Sequence, residues 1–402
     1  MSIAIAILGL AFLILVHEAG HFFASLAVGL RPRRFYVGFP PPLVRKTRNG
    51  IEYAIGAIPL GGFVTIPGMH RPISHDAERR FSRAVAEVPA LAGPVDRVKR
   101  SLEAGDFAAT SLELDELEQA LIPQPMSVGA RATAEKGLTE LRDALGSDAY
   151  WKAPTWKRLV AIGAGPAANI ALTVVVFAIL FTQVGGDPSR TVLSVSAGSP
   201  AETAGIQPGD RIVAINGEPV SGTELGERIL SSEGKPLTVI VVRKGEELTI
   251  GPVSAEQTEG GYRLGIVREG TGLSPLSAVC RSFEVTGLAA REIVFSLGRL
   301  AGGEGRNDVA SPIGITRVSS DAVQEGFESY LWVLGLISLS LALLNLLPLL
   351  PLDGGHILFA LVEGARGKFV RREVYERVSV VGLAIVLLLF FIGLSNDIGR
   401  LS

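Results

Sequence analysis

Apolar residues gather along this chain in four long blocks, at 2–30, 159–184, 330–352 and 378–394. Each approaches or exceeds the roughly 20 residues that an α-helix needs to cross the hydrocarbon core of a bilayer. Between the first two blocks, residues 76–147 are polar, with Leu112, Leu114, Leu117, Leu121 and then Leu138, Leu141, Leu145 recurring on helical faces. That spacing predicts a small helical insertion whose charges form its solvated side. Between the second and third blocks the period changes. Runs rich in β-branched residues at 191–195, 211–215, 237–243 and 247–250 are punctuated by Asn216-Gly217 and Lys244-Gly245, so strands and tight turns are predicted for a separate domain.

Two shorter stretches carry their own patterns. Residues 53–58 read as a strand, followed by Pro-Leu-Gly-Gly and Phe63-Val64-Thr65, which predicts a hairpin dipping toward the membrane and able to pair with an extended peptide. A surface hairpin with no such contact is the plainer alternative. Residues 276–300 set Val279, Phe283, Leu288, Ile293, Val294 and Leu297 against Arg281, Arg291 and Arg299. Such an amphipathic helix suits a membrane surface, or packing beneath the β-rich domain.

Composition agrees with a polytopic membrane protein: 48% of residues are hydrophobic and 19% charged. The net charge of −2 gives no global attraction to nucleic acid, so no nucleic-acid partner is expected. Cys280 is the one cysteine and cannot form an internal disulfide. Basic residues cluster after the first block (Arg31, Arg33, Arg34, Arg45, Lys46, Arg48), before the second (Lys152, Lys157, Arg158) and before the fourth (Arg366, Lys368, Arg371, Arg372, Arg377). With four spans these clusters share one side, which the positive-inside rule makes cytoplasmic.

The chemistry lies within the first block, at His17-Glu18-Ala19-Gly20-His21. Histidines four apart on a helix point the same way and can grip one zinc ion, while the adjacent glutamate can act as general base. Ionisable groups cost roughly 2.5–3.5 kcal/mol each at the centre of a spanning helix, so three together call for a function. No Lys or Arg precedes the block, which argues against a removable signal peptide.

A catalytic zinc needs a third protein ligand, and the candidates are His70, His75, His356 and Asp353. Asp353 is favoured because it follows directly on an apolar run at the inferred depth of the histidines, whereas His70 and His75 stand in a polar loop. His356, beyond a glycine pair, reads better as a helix-end residue. Pro348 and Pro351 free nearby carbonyls, which is tolerated at membrane depth only where the backbone is buried or lines a wet cavity. Asn345 in the same run could hold a substrate backbone group or join two helices.

These segments together resemble the site-2 proteases, a family of zinc intramembrane metalloproteases, and within it the bacterial branch with one PDZ domain. The resemblance rests on His17, Glu18 and His21; on Asn345, Pro348, Asp353, Gly354 and Gly355; on Gly61-Gly62; on Gly165-Pro166 with Asn169; and on 311–315. Residues 199–206, 208–212 and 215–217 resemble bacterial PDZ domains. The resemblance implies a polytopic α-helical fold of about four transmembrane helices, with a membrane-associated β-hairpin and an inserted PDZ β-sandwich. The expected divisions are a first span at 1–30, hairpin region 31–75, insertion 76–150, second span 151–186, PDZ domain 190–270, linker 273–328, third span with the zinc-binding aspartate 329–362, and fourth span 375–396.

By the same resemblance, Zn²⁺ is held by His17, His21 and Asp353, Glu18 is catalytic, and Asn345, Pro348, Gly61 and Gly62 contact substrate. The implied partners are the lipid bilayer, single-span membrane proteins such as anti-sigma factors or signal-peptide remnants, and a peptide C-terminus in the PDZ groove. The implied setting is the bacterial cytoplasmic membrane, multi-pass, with the PDZ domain extracytoplasmic and a role in regulated intramembrane proteolysis. A catalytically inactive relative acting as a helix-binding scaffold and a zinc transporter are the competing readings. An intact metal-and-base set argues against the first, and the near-absence of acidic or imidazole groups at depth in spans two and four against the second.

Overall fold

The computed structural model describes residues 1–184, 189–258, 261–268, 272–306 and 309–399. The expected end of span two at 185–186 and of the PDZ segment at 269–270 lie outside them. Four helices are long and apolar enough to cross a membrane: α1 (Ser2–Ala27), α6 (Thr155–Gln183), α11 (Phe327–Asn345) and α13 (Arg372–Gly399). Their exposed Leu, Val, Ile and Phe side chains suit a lipid surround, where apolar exposure carries no penalty. The chain divides into two bodies, residues 1–172, 290–325 and 336–402, and residues 173–289 and 326–335.

In the first body, α1 is followed by β1 (Arg34–Arg48) and β2 (Ile51–Thr65). Both strands bend and fold into a small four-limbed sheet. Arg34 to Val37 stand opposite Glu52 to Ile55 on one side and opposite Thr65 to Gly62 on the other, while Val44 to Arg48 pair with Ile55 to Ile51. Asn49 and Gly50 adopt positive φ (52° and 77°) and form the tight turn. The Pro-Leu-Gly-Gly stretch, expected to be that turn, is instead a wide return that carries β2 around the 34–37 limb. Phe22 on α1 anchors the sheet through Phe35 and Tyr53, with ring centroids 5.0 and 5.9 Å away.

The insertion comprises α2 (Ser74–Glu87), α3 (Ala92–Ala104), α4 (Phe107–Leu121) and α5 (Val128–Leu145) around a core that includes Phe81, Leu91, Leu114 and Leu117, all essentially fully buried. Arg33 ties it to the sheet region by bonds to Asp143 and Asp148 (2.7 and 2.8 Å), and Arg372 reaches Asp76.

The second body contains an antiparallel sheet of four strands. In chain order come β3 (Val192–Val195), α7 (Pro200–Ala204), β4 (Arg211–Ile215), β5 (Glu218–Pro219), α8 (Gly222–Ser231), β6 (Pro236–Arg243), β7 (Glu246–Ser254), β8 (Glu256–Thr258), β9 (Gly261–Arg263) and β10 (Ile266–Arg268). The sheet order is β5-β4-β6-β7, with separate pairs β10-β3 and β8-β9. Ile212, Val239, Val241 and Leu225 fill its core. Asn216 and Lys244, each followed by glycine, take positive φ at the tight turns between β4 and β5 and between β6 and β7.

The remaining helices are α9 (Pro275–Ala301), α10 (Pro312–Glu325), α11, α12 (Asp353–Arg366) and α13. Here the structure corrects the expectation of one span over 329–362. Helix α11 stops at Asn345, whose amide bonds back to the Leu341 carbonyl at 3.0 Å, and residues 346–352 turn before α12 begins at Asp353. Pro348 and Pro351 cannot continue the helical ladder. Gly354 and Gly355 let the turn close, because a Cβ at 355 would lie 2.6 Å from the Leu350 nitrogen and one at 354 would collide with the carbonyls of Leu346 and Leu347. Asp353 therefore opens a helix instead of ending one.

Candidate active site

Helix α1 buries His17 and His21 on one face, each 7% exposed, as the four-residue spacing requires. The first turn of α12 brings Asp353 to the same point. The His17 Nε2–His21 Nε2, His17 Nε2–Asp353 Oδ2 and His21 Nε2–Asp353 Oδ2 separations are 3.2, 3.1 and 3.3 Å. Three ligands about 2.0–2.1 Å from a tetrahedral zinc would stand about 3.3 Å apart, so the triangle has the dimensions of one face of such a site. The donor set fits as well. Asp353 Oδ2 is buried and receives no hydrogen bond, an arrangement that costs free energy unless a cation satisfies it. Among the described residues, this is the cluster of three or more His, Cys, Asp or Glu side chains that could hold a metal.

The nitrogens facing away from the triangle are also engaged. His21 Nδ1 bonds to the Ala161 carbonyl on α6 at 2.9 Å, and His17 Nδ1 lies 3.5 Å from Asn169 Nδ2. Such partners fix ring orientation and tautomer. Helix α6 comes this close because of two glycines. A Cβ on Gly20 would run into the Ala164 carbonyl, and one on Gly165 into the His21 ring at Nε2. Pro166 removes the N–H that would have served Ile162, interrupting the ladder beside the Ala161 carbonyl. The sequence signal for these contacts was Gly165-Pro166 with Asn169. The Ala161 carbonyl has no such signal, since a backbone acceptor 140 residues away leaves no trace in side-chain pattern.

Glu18 stands close enough to feel the charge of all three ligands. Gly62 lies against it: a Cβ there would be 3.2 Å from Glu18 Cγ. Gly61 instead packs under the Phe39 ring. Asn345 spends its amide donor on its own helix, and Pro348 is exposed in the turn before α12. The other ligand candidates are elsewhere: His356 Nδ1 meets the Tyr375 hydroxyl at 2.8 Å, His70 packs edge-on against the same ring, and His75 lies beside Glu78.

A model of peptidase family M50 matches residues 5–389 of the chain. The chain belongs to peptidase family M50. This is the site-2 protease family expected from the sequence, and the match takes in both histidines, Glu18 and Asp353. Among similar proteins, the zinc metalloprotease RasP of Geobacillus kaustophilus is 30% identical over 408 residues, covering 96% of this chain and 95% of its own length. RasP of Bacillus licheniformis is 29% identical over 415 residues, with 97% and 96% covered. Similarity to these family members therefore runs through the helical and the β-rich parts alike.

Proposed function

We propose that this membrane protein is a zinc-dependent intramembrane endopeptidase that cuts the transmembrane segments of single-span proteins. The observation that carries the reading is the triangle of His17, His21 and Asp353 at zinc-ligand spacing, with Glu18 beside it. Zinc held there supplies a Lewis acid that polarises a peptide carbonyl and makes water acidic near neutrality. Glu18 takes the proton that the attacking water loses and returns it to the departing amine. Ala161 and Asn169 keep the two imidazoles aimed.

A spanning helix hides its peptide bonds, so the substrate must be unwound and held extended. The segment 53–58, expected to pair with it, is flanked on both sides over Tyr53–Ile55. The limb Gly62–Thr65 pairs on one side only among the described residues, and it runs beside Glu18. Strand addition along that edge suits the role. Substitution of Val64 by Pro, which removes the N–H that this edge directs at Glu18, is expected to lower cleavage while zinc stays bound.

The basic clusters favour a multi-pass arrangement in a bacterial cytoplasmic membrane, with the cluster near the cytoplasmic end and residues 190–270 as an extracytoplasmic PDZ domain. That domain would exclude bulky ectodomains or take a newly exposed C-terminus, which suits anti-sigma factors or signal-peptide remnants in regulated intramembrane proteolysis. Deleting 191–268 should then permit cleavage of an untrimmed substrate. The deciding experiment incubates purified protein with candidate single-span substrates beside Glu18→Gln. The variant should keep zinc and lose at least about 100-fold in rate; cleavage at the normal rate would remove Glu18 from its role.

A further inference from the structure

Along α12, Asp353 is followed on one face by His356, Ala360 and Glu363, spaced three and four apart. From His356 onward this face forms a wall of a cavity of about 390 Å³. Glu363 lies ten residues beyond Asp353, about 15 Å along the helix. The cavity therefore begins at His356, about one helical turn beyond the metal-ligand Asp353, and reaches Arg371 and Arg372 of the last basic cluster. The insertion closes it through Ser74, Leu102 and Glu103.

Its lining has a surplus of donors and positive charge. Arg71, Arg158, Arg371 and Arg372 line it against Glu103 and Glu363, with Arg372 already paired to Asp76 and Glu376. Glu363 is already engaged by Arg158 at 2.6 Å and by the Val370 N–H at 2.9 Å. The Tyr150 hydroxyl and Arg158 Nε, on residues only 4% and 6% exposed, have no hydrogen-bond partner. Burial pushes the Tyr150 phenol up, so it stays a donor. The Arg71 guanidinium rests on the rings of Phe107, Trp151 and Phe369 at 5.1–5.9 Å. Phe359, Ala360 and Phe369 give the same cavity an apolar side.

Hydrolysis of a peptide bond inside an apolar span adds water across it. One fragment then ends in a carboxylate, the other begins with an amine, and apolar residues adjoin both ends. An apolar wall with unpaired donors suits the first end and disfavours the second. We propose that this cavity receives the new carboxylate end of the N-terminal fragment of a substrate whose N-terminal part lies on the cytoplasmic side, a proposal that rests on the protease reading above. A fragment whose soluble part leaves first draws its carboxylate past the α12 face last, and about three extended residues span the first 10 Å of that path.

The test uses full-length Glu18→Gln protein in detergent and a fluorescent six-residue apolar peptide, made as the free acid and as the C-terminal amide, with binding read by anisotropy. The acid should bind about tenfold more tightly than the amide. The gap should persist after the metal is chelated, and should close to about twofold in Tyr150→Phe and in Arg158→Gln. Tyr150→Phe removes only an unpartnered hydroxyl, so it carries the test should Arg158→Gln fail to fold. Equal binding of acid and amide, a gap that vanishes with the metal, or a gap unchanged in Tyr150→Phe would overturn the proposal. So would inorganic phosphate binding where the acid peptide does not, which would assign the donors to a free oxyanion. Absence of cleavage in every preparation would sink the protease reading, whereas equal binding by a protein whose parent cleaves would sink this one alone.

Discussion

Two aspartates with buried carboxylate oxygens are treated in opposite ways in this molecule. Asp210, in the β-rich domain, is fully buried and completely engaged: Arg243 donates to both of its oxygens at 2.7 Å, and the Gln207 N–H adds a bond at 2.8 Å. Asp353 turns Oδ2 toward two imidazole nitrogens and receives no hydrogen bond on it. The first carboxylate is closed, and its partners account for its burial. The second is left with an unmet demand for positive charge, which is what a metal site requires before its ion binds. Burial alone does not mark function; burial with unsatisfied valence does.

That contrast can be broken most forcefully at Asp353. Asp353→Asn keeps the shape and removes the charge, and is expected to lower zinc affinity by at least about 100-fold, read as zinc retained after dialysis. Unchanged zinc content would move the third ligand elsewhere. Gly165→Ala should act on the same site without replacing a ligand. The added methyl meets the metal-facing edge of His21, so zinc affinity and cleavage should fall about tenfold or more, while circular dichroism stays unchanged.

Asp210→Asn probes the other side of the comparison. Breaking the partly buried pair with Arg243 should cost about 3 kcal/mol, measured by urea unfolding of the β-rich domain, with zinc content unaffected. A smaller effect is expected from pH. Burial by itself would raise the Asp210 carboxyl, but the bonds from Arg243 and Gln207 outweigh it and hold it below the ordinary value. A lowered folded-state value means that the stabilisation is complete above about pH 4, near the unfolded value, and is lost as pH falls through the folded one. The domain should therefore weaken below that range, and Asp210→Asn should flatten the dependence.

Much of this was legible because its signals are local. The imidazole pair depends on a four-residue spacing, the insertion on leucine periodicity, and the turns at Asn216-Gly217 and Lys244-Gly245 on residues that tolerate positive φ. Asp353 could be chosen from depth along an apolar run. The break between α11 and α12 was harder to place, since Leu-rich sequence continues through it and only the prolines and the following glycines mark it. The path of β2 is hidden in the sequence for a related reason. Pro59 and Gly61-Gly62 look like a tight turn, while the structure uses them to carry the strand around a neighbouring limb, and that requires a non-local pairing. The sequence suits Asn345 to a substrate or interhelical contact, yet its donor returns to Leu341.

The central claim is that two imidazoles from α1 and the carboxylate that opens α12 converge on one zinc ion. X-ray absorption at the zinc edge on the purified, metal-loaded protein measures that set directly. The account predicts two histidine nitrogens and a carboxylate oxygen at about 2.0–2.2 Å, with one histidine lost from the pattern in His21→Ala. A shell containing three imidazoles, or one unaltered by Asp353→Asn, would contradict it.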